Sequence, residues 1–294
     1  MQNLLGTVFT GLVTDENEKS YFVQKDGVTF KLDKTEGEQQ LGDAVEGFGY
    51  NGPKQDNKFT TNIPTIQQGV FGFAEVIATR KDLGAFVDIG LPDKEVVVSL
   101  DELPTMKELW PKKGDRLMVS LTVDNKDRLW ATLAEDSYFN EIGRHVPMTS
   151  KDEFKNKDVM VTAYRLKVAG TYVITEDNYL GFLHPSERYI EPRIGEVAKA
   201  RVIGVAPSGI LNVSFKPRAH EVISDDAMMI LTFLEKSKEG KIPFTDKSAP
   251  EEITATFAIS KGQFKRALGS LLKARKVKQE DGFTILLEQT EEQE

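Results

Sequence analysis

The sequence predicts a mainly β protein with three small five-stranded barrels in tandem, followed by a C-terminal α+β domain. A glycine–acid step occurs three times, at residues 42–43, 114–115 and 195–196, and two alternating strand-like runs follow each step. Two further strand-like runs precede each step. Short antiparallel modules of this kind close into barrels because closure removes exposed strand edges. From Ala219 onward the apolar spacing changes to that of helices.

Composition narrows the class of protein. The 294 residues include no cysteine, which excludes disulfides, thiolate metal sites and cysteine nucleophiles and fits a reducing cytoplasm. The three histidines are far apart, so a histidine-based metal centre has little support. No apolar run approaches the ~20 residues of a membrane span, and the N-terminus lacks the basic region of a secretory signal. We expect a cytoplasmic monomer without a membrane partner, metal or cofactor.

The repeats and the change to helical spacing predict four domains. Residues 1–64 form a degenerate first barrel, whose many aromatic side chains are expected to fill its core and cover a hairpin, the alternative being a platform for nucleic-acid bases. Residues 65–147 hold a second barrel and a short helical linker, and residues 148–217 hold the third barrel. Residues 218–294 form the C-terminal domain.

The strand at residues 82–90 has the clearest pattern of the second barrel. Val87 and Ile89 alternate with Phe86 and Asp88, which predicts that the first pair faces the core and the second pair faces outward. A large aromatic on the polar face either covers the end of a small barrel or provides a platform for a nucleic-acid base.

The C-terminal segment predicts the element order helix, strand, helix, helix and two-stranded wing. Apolar residues recur at helical spacing from Val222, Pro250 fits the first position of a second helix, and Ser260 fits the N-cap of a third. We expect that third helix to reach about Lys276, and two strands to flank a turn at residues 279–283. This order is that of a winged helix-turn-helix.

The third helix of this domain carries a basic patch. Seven lysines and arginines and no acidic residue occur from Ser260 to Lys278. The net charge of −8 argues against a protein that coats nucleic acid by bulk charge, but it allows such a local patch. The apolar face of the helix must be buried, so the opposite face is either a solvated charged face or a nucleic-acid contact. The predicted contacts are Lys261, Lys265, Arg266, Lys273 and Lys276.

The second and third modules resemble the S1 RNA-binding domain, an oligonucleotide-binding barrel. The matching segments of the second module are residues 84–87, 99–103, 113–115, 123–124 and 128–129. Those of the third module are residues 170–173, 181–187 and 194–196. The most specific part is the run Gly-Phe-Leu-His-Pro-Ser-Glu at residues 181–187.

The resemblance implies a surface of two aromatics, a histidine, an aspartate and an arginine that faces single-stranded RNA. In chain order these positions hold Leu83, Phe86, Ser99, Asp124 and Arg128 in the second module, and Ala169, Tyr172, His184, Ala206 and Ile210 in the third. The predicted RNA contacts are therefore Phe86, Asp124, Arg128, Tyr172 and His184. The alternatives are barrel covering for the two aromatics, a solvated ion pair in a hairpin turn for Asp124 and Arg128, and a structural hydrogen bond for His184.

No group of residues indicates catalysis. The carboxylate pairs at residues 225–226 and 251–252 fall at predicted helix starts, where the helix dipole favours them. The glutamates from Glu288 onward have no histidine or aspartate nearby and are expected to form a solvated tail. The chain also lacks a glycine-rich phosphate-binding loop. We therefore expect a protein that is not an enzyme.

Three S1-like modules followed by a winged helix, with the segments at residues 242–248 and 260–267, resemble the conserved virulence factor B family of Gram-positive bacteria. The resemblance implies a cytoplasmic RNA-binding regulator of gene expression, in which the third S1 module and the winged helix cooperate. The predicted function is binding of single-stranded RNA through several weak sites that are linked in one chain. Two alternatives remain: a duplex-DNA-binding regulator that uses the winged helix, and a protein-binding accessory subunit of an RNA-processing complex.

Overall fold

The computed structural model describes residues 4–217, 224–237 and 239–287. The chain divides into two compact units, residues 1–215 and 216–294. The first unit contains three closed five-stranded barrels, and the second contains helices and a three-stranded sheet. The predicted fold class is therefore confirmed. The expected tail from Glu288 and the expected helix start near Val222 lie outside the described residues.

Barrel 1 closes through one parallel strand pair. Its strands are β1 Val8–Glu16, β2 Ser20–Lys25, β3 Val28–Asp33, β4 Ala44–Asn51 and β5 Asn57–Thr60. In space they follow the order β1-β2-β3-β5-β4, and β4 returns to pair with β1. The pair β3 and β5 is parallel, and the other pairs are antiparallel. No strand edge of the barrel is left open.

Barrels 2 and 3 repeat this topology. The strands of barrel 2 are β6 Gly72–Arg80, β7 Gly84–Asp88, β8 Val96–Ser99, β9 Arg116–Val123 and β10 Leu129–Leu133. Those of barrel 3 are β11 Asp158–Lys167, β12 Gly170–Thr175, β13 Leu180–Leu183, β14 Val197–Val205 and β15 Leu211–Ser214. The first strand of every barrel also has a register shift at the equivalent place, after Val13, Val76 and Ala163. Such a bulge increases the local twist of the strand. The added twist helps the first strand to pair with two neighbouring strands in a small closed barrel.

The strand β7 has the predicted two faces. Val87 is fully buried and Phe86 is partly exposed. The strand begins at Gly84, whose φ of +136° suits glycine, and a Cβ at this position would lie 2.0 Å from the carbonyl oxygen of Val98. Gly170 begins β12 of barrel 3 in the same way, with a φ of +147°. The glycine at this position thus lets the second strand cross close to the third in both barrels.

The barrels of the first unit share apolar contacts. Phe48 and Tyr50 of barrel 1 belong to the same buried cluster as Val87 and Val98 of barrel 2. Helix α1, Asp136–Ile142, follows barrel 2, and its buried Phe139 packs in a cluster with residues of barrels 2 and 3. The short helix α2, Lys151–Phe154, precedes barrel 3. The three barrels are therefore joined by packed side chains as well as by the chain itself.

An ion pair between Arg193 and Asp115 also connects barrels 2 and 3. Arg193 donates from Nε and Nη2 to the two carboxylate oxygens of Asp115, both at 2.9 Å. The Asp115 side chain is only 8% exposed, and it also accepts the backbone N–H of Lys112. A planar guanidinium that meets a carboxylate with two hydrogen bonds fixes both partners in orientation.

Replacing Arg193 by methionine is expected to lower the free energy of unfolding of the first unit by about 1–3 kcal/mol, because a nearly buried carboxylate loses its charged partner. Urea titration of the full chain tests this through tryptophan fluorescence, since both tryptophans, Trp110 and Trp130, lie in the second module. The matched control is Lys199→Met, whose ion pair with Asp158 is more exposed and should contribute little. Equal effects of the two substitutions would contradict the prediction.

The second unit has the predicted winged-helix order. Its elements are α3 Asp225–Glu235, β16 Lys241–Ile242, α4 Pro250–Phe257, α5 Lys261–Lys273, β17 Val277–Glu280 and β18 Phe283–Leu286. The sheet order is β16-β18-β17, and β17 and β18 form the wing. Helix α5 ends three residues before the predicted Lys276, because Arg275 takes a positive φ of 53° that a helix does not continue.

Candidate nucleic-acid interface

A row of outward-facing side chains crosses the second, third and fifth strands of each barrel. These strands are neighbours, so one residue from each lies at the same level. In barrel 2, Phe86 on β7 is opposite Val97 on β8. Ala131 on β10 pairs with Val98, so Trp130, the residue before Ala131, lies beside Val97. We call Phe86, Val97 and Trp130 the outer row of barrel 2.

The outer row of barrel 2 lines a cleft of about 960 Å³. Gly52, Pro53 and Gln55, from the hairpin between β4 and β5 of barrel 1, also line this cleft. Clefts of ~300–1,000 Å³ are typical of small-ligand sites. The cleft therefore has space for a nucleotide-sized group next to Phe86 and Trp130.

Asp124 connects Arg128 and Trp130 at one end of the outer row of barrel 2. It accepts hydrogen bonds from Nε of Arg128 at 2.8 Å and from Nε1 of Trp130 at 3.1 Å. The bonds from Arg128, first from its side chain and then from its backbone N–H, hold the pKa of Asp124 well below its usual range. The Arg128 guanidinium also lies 5.4 Å from the centre of the Trp130 ring. Asp124 and Arg128 thus form an ion pair that also holds Trp130 in place.

Barrel 3 has a more aromatic row. Tyr172 on β12 is opposite Phe182 on β13, and Phe182 is next to Asn212 on β15. The centres of the Tyr172 and Phe182 rings are 5.3 Å apart, and both side chains are partly exposed. We call Tyr172, Phe182 and Asn212 the outer row of barrel 3.

The aromatic contacts of barrel 3 continue inward to the joint with barrel 2. Tyr164 is 6.3 Å from Tyr172 and stacks on the buried Phe139 of α1 at 3.8 Å between ring centres. Burial raises the pKa of Tyr164 to about 12, so its hydroxyl stays neutral. Outward, Phe182 is 6.4 Å from the His184 ring. The outer row of barrel 3 is therefore supported by a continuous series of rings.

His184 makes the structural hydrogen bond that was its alternative interpretation, and it remains exposed. Its Nδ1 accepts the backbone N–H of Ser186 at 3.1 Å and caps a single 3-10 turn. Since Nδ1 accepts this bond, the neutral ring carries its proton on Nε2 and can still donate from there. Ser99 caps the equivalent turn of barrel 2 by accepting from the backbone N–H of Asp101. The structural role of His184 is thus compatible with a contact to a ligand.

Helix α5 separates its apolar and basic faces. A capping box between Ser260 and Gln263 begins the helix. The buried face consists of Phe264, Ala267, Leu268 and Leu271. Lys265, Arg266 and Lys273 are exposed, and Lys261 is partly exposed. None of these four cations forms an ion pair within the described ranges of the chain.

The structure brings together some of the predicted contacts and separates others. Phe86, Asp124 and Arg128 lie together at the outer row of barrel 2, and Tyr172 and His184 are each close to Phe182. Lys276 was expected at the end of the basic helix, but it lies after the end of α5 at Lys273.

Sequence reasoning missed Trp130 and Phe182 as contact candidates. Trp130 lies two residues after Arg128, which is the spacing of side chains on one face of a strand. Phe182 lies inside the most specific S1 motif. These signals were present, but the strand register that aligns Trp130 with Phe86 becomes visible only in the closed barrel.

Four segments match known protein families in chain order. Residues 5–62 match the S1 domain, and residues 71–132 match the CvfB first S1-like domain. Residues 144–217 match the second domain of virulence regulatory factor CvfB, and residues 228–286 match the CvfB-like winged helix domain. Together with the barrels and the wing, these matches define a multidomain protein of S1 and winged-helix modules, which are nucleic-acid-binding domain types.

Relatives of nearly the same length extend the similarity. Conserved virulence factor B of Staphylococcus epidermidis is 39% identical over 264 residues, which are 88% of this chain and 87% of the relative. The uncharacterized protein YitL of Bacillus subtilis is 37% identical over 281 residues, 95% of this chain and 92% of the relative. The chain belongs to the conserved virulence factor B family.

A crystal structure of similar sequence is also known. It is described as a multidomain protein with nucleic acid binding domains from Streptococcus pneumoniae TIGR4. The sequences are 51% identical, the TM-score is 0.69, and the alignment covers 96% of this chain and 98% of the other. The domains and the family together indicate nucleic-acid binding and a part in virulence regulation.

The described residues give no indication of a membrane-spanning helix or of a metal site. No helix there is long and apolar enough to cross a membrane. The same ranges contain no group of three or more histidine, aspartate and glutamate side chains placed to hold a metal ion.

Proposed function

We propose that this protein binds single-stranded RNA through several weak sites and acts in the regulation of gene expression. The observation that carries the proposal is the position of Phe86 with Trp130, and of Tyr172 with Phe182, in equivalent rows on two barrels. An exposed ring gives a base a stacking surface worth ~1–3 kcal/mol, whichever base it is. Only an unpaired strand offers its base faces to such rings.

The basic face of α5 supplies a different kind of contact. Lys265, Arg266 and Lys273 are exposed on one helix without an ion-pair partner among the described residues, and such cations attract phosphates. Their attraction does not depend on base identity. The rows and the helix therefore fit a strand that is held by base stacking at some nucleotides and by phosphate contacts at others.

Because the domains are linked in one chain, several weak sites together can bind one strand tightly. Once one domain has bound a strand, the next binds at a raised effective concentration. We propose domain limits after residues 64, 147 and 217, so that each barrel and the winged helix is one binding unit. We also propose that the protein works as a non-enzymatic monomer in the cytoplasm.

Competition binding tests the proposal. A mixed-sequence single-stranded RNA of ~20 nucleotides is expected to displace a labelled RNA at a lower concentration than duplex DNA of equal length does. Affinity should fall steeply with salt, because phosphate contacts release counterions. Better competition by duplex DNA would favour a DNA-binding regulator that uses the winged helix. Absence of binding to either at low salt would favour a protein-binding role.

A further inference from the structure

The outer row of barrel 1 differs chemically from the other two. Phe22 on β2 is opposite Lys31 on β3, and Lys31 is next to Lys58 on β5. This is the same register that defines the rows of barrels 2 and 3, so Lys58 occupies the position of Trp130 and Asn212. Barrel 1 thus combines one partly exposed ring with two lysines.

One of these lysines is held by a carboxylate from the neighbouring barrel. Asp93, in the loop between β7 and β8 of barrel 2, accepts hydrogen bonds from Nζ of Lys58 and from the Tyr50 hydroxyl, the latter at 2.9 Å. The Lys58 and Asp93 side chains are about one third exposed, at 30% and 31%. The hydrogen bond that Lys58 donates to Asp93 also raises the pKa of Lys58, so its ammonium stays charged. The contact is therefore an ion pair that solvent and solutes can reach.

A cavity of about 590 Å³ lies at this contact. Lys31, Lys58, Tyr50 and Asp93 are among the residues that line it. Its other carboxylates include Asp33 and Glu36, which have local partners: Asp33 accepts from Thr35, and Glu36 accepts from Thr60 and Thr61. Asp56 also lines the cavity. Asp93 is the carboxylate that reaches Lys58 directly.

We propose that Phe22, Lys31 and Lys58 form a further contact for single-stranded nucleic acid, in which the lysines bind a backbone phosphate, and that Asp93 occupies this phosphate position in the free chain. The inference rests on the proposed function of the other rows. A carboxylate and a phosphate both accept charge-assisted hydrogen bonds from an ammonium, so one can replace the other. A bound strand exchanges with Asp93, whose carboxylate then returns to water.

This exchange makes barrel 1 a late contact. A phosphate must first displace Asp93, and this displacement breaks the hydrogen bonds that Tyr50 and Lys58 donate to Asp93. The net free energy gained when a phosphate binds here is therefore smaller than the free energy gained at a lysine that has no ion-pair partner. Barrel 1 therefore contributes mainly to strands that the other domains already hold at high effective concentration.

Removing the charge of Asp93 tests the inference. Asp93→Asn in the full chain is expected to raise affinity for a mixed-sequence 20-nucleotide RNA by roughly 3- to 10-fold in fluorescence anisotropy. The dependence of log affinity on log salt should steepen by about 0.7, the value of one phosphate contact on a single strand. The double substitution Asp93→Asn with Lys58→Gln should bind no better than Lys58→Gln alone.

The matched control is Glu38→Gln, which removes the same charge from an exposed residue of the first module that lines neither the cavity at Lys58 nor the cleft of barrel 2. A gain as large for Glu38→Gln, a gain that persists without Lys58, or no gain for Asp93→Asn would each overturn the inference. If the unsubstituted chain binds RNA in the same titration, the proposed function survives that failure. If it binds no RNA at low salt, the proposed function and the inference both fail. Thermal unfolding of each variant establishes that it is folded.

Discussion

Replacing both Tyr172 and Phe182 by alanine is expected to weaken binding of single-stranded RNA by at least about 30-fold. Each ring provides a stacking surface worth ~1–3 kcal/mol, and a loss of ~2 kcal/mol corresponds to roughly 30-fold in affinity. The salt dependence should stay nearly constant, because neither side chain contacts a phosphate by charge. Fluorescence anisotropy across a salt series measures both quantities.

The control for this prediction keeps the rings and changes the hydroxyl. Tyr172→Phe together with Phe182→Tyr should bind within about 2-fold of the unsubstituted protein, because stacking depends on the π-face. Tyr172 also packs near Tyr164 and Phe182, so thermal unfolding must show that the alanine variant remains folded. A folded alanine variant with unchanged affinity would remove barrel 3 from the interface.

Reversing the charges of Arg266 and Lys273 to glutamate should weaken RNA binding by about 100-fold at low salt. The change removes two cations from the exposed face of α5 and adds two anions that repel phosphates. The slope of log affinity against log salt should become shallower by roughly 1.4, which is ~0.7 for each lost phosphate contact. This decrease in slope separates the effect from that of the aromatic substitutions.

The matched control reverses two other lysines, Lys151 and Lys155, at α2 and its C-terminal end. Both are exposed, and neither belongs to an outer row or to α5. The net charge of the chain changes by the same amount in both variants, so any effect of total charge is the same. Equal losses of affinity would show that α5 has no specific part in binding.

Local pattern was sufficient to predict the fold, because each module repeats its own signals. The alternation of Phe86 with Val87 predicted the two faces of β7, and the structure has them. The aromatic side chains of the first module were expected to fill its core and cover a hairpin. Phe30 is fully buried in that core, and Phe48 is fully buried in the cluster that barrel 1 shares with barrel 2. Phe22 is the exception, since it faces outward in the row.

The interface was harder to predict because it depends on which strands are neighbours. The third and fifth strands pair in parallel only when the barrel closes, so no local pattern places Trp130 beside Val97. The contact of Asp93 with Lys58 and Tyr50 joins residues that are 35 and 43 positions apart in different barrels. The end of α5 was misplaced because Arg275 leaves the helical conformation although the basic composition continues.

The support of Tyr172 by Tyr164 and Phe139 affects the entropy of binding. A flexible side chain that becomes ordered on association costs ~0.5–1.5 kcal/mol. The rings from Phe139 to Phe182 are already packed against one another, with one end in the buried joint between two barrels. Their rotamer freedom was lost when the protein folded. Barrel 3 is thus preorganised, and the ordering that RNA binding requires there falls on the RNA strand.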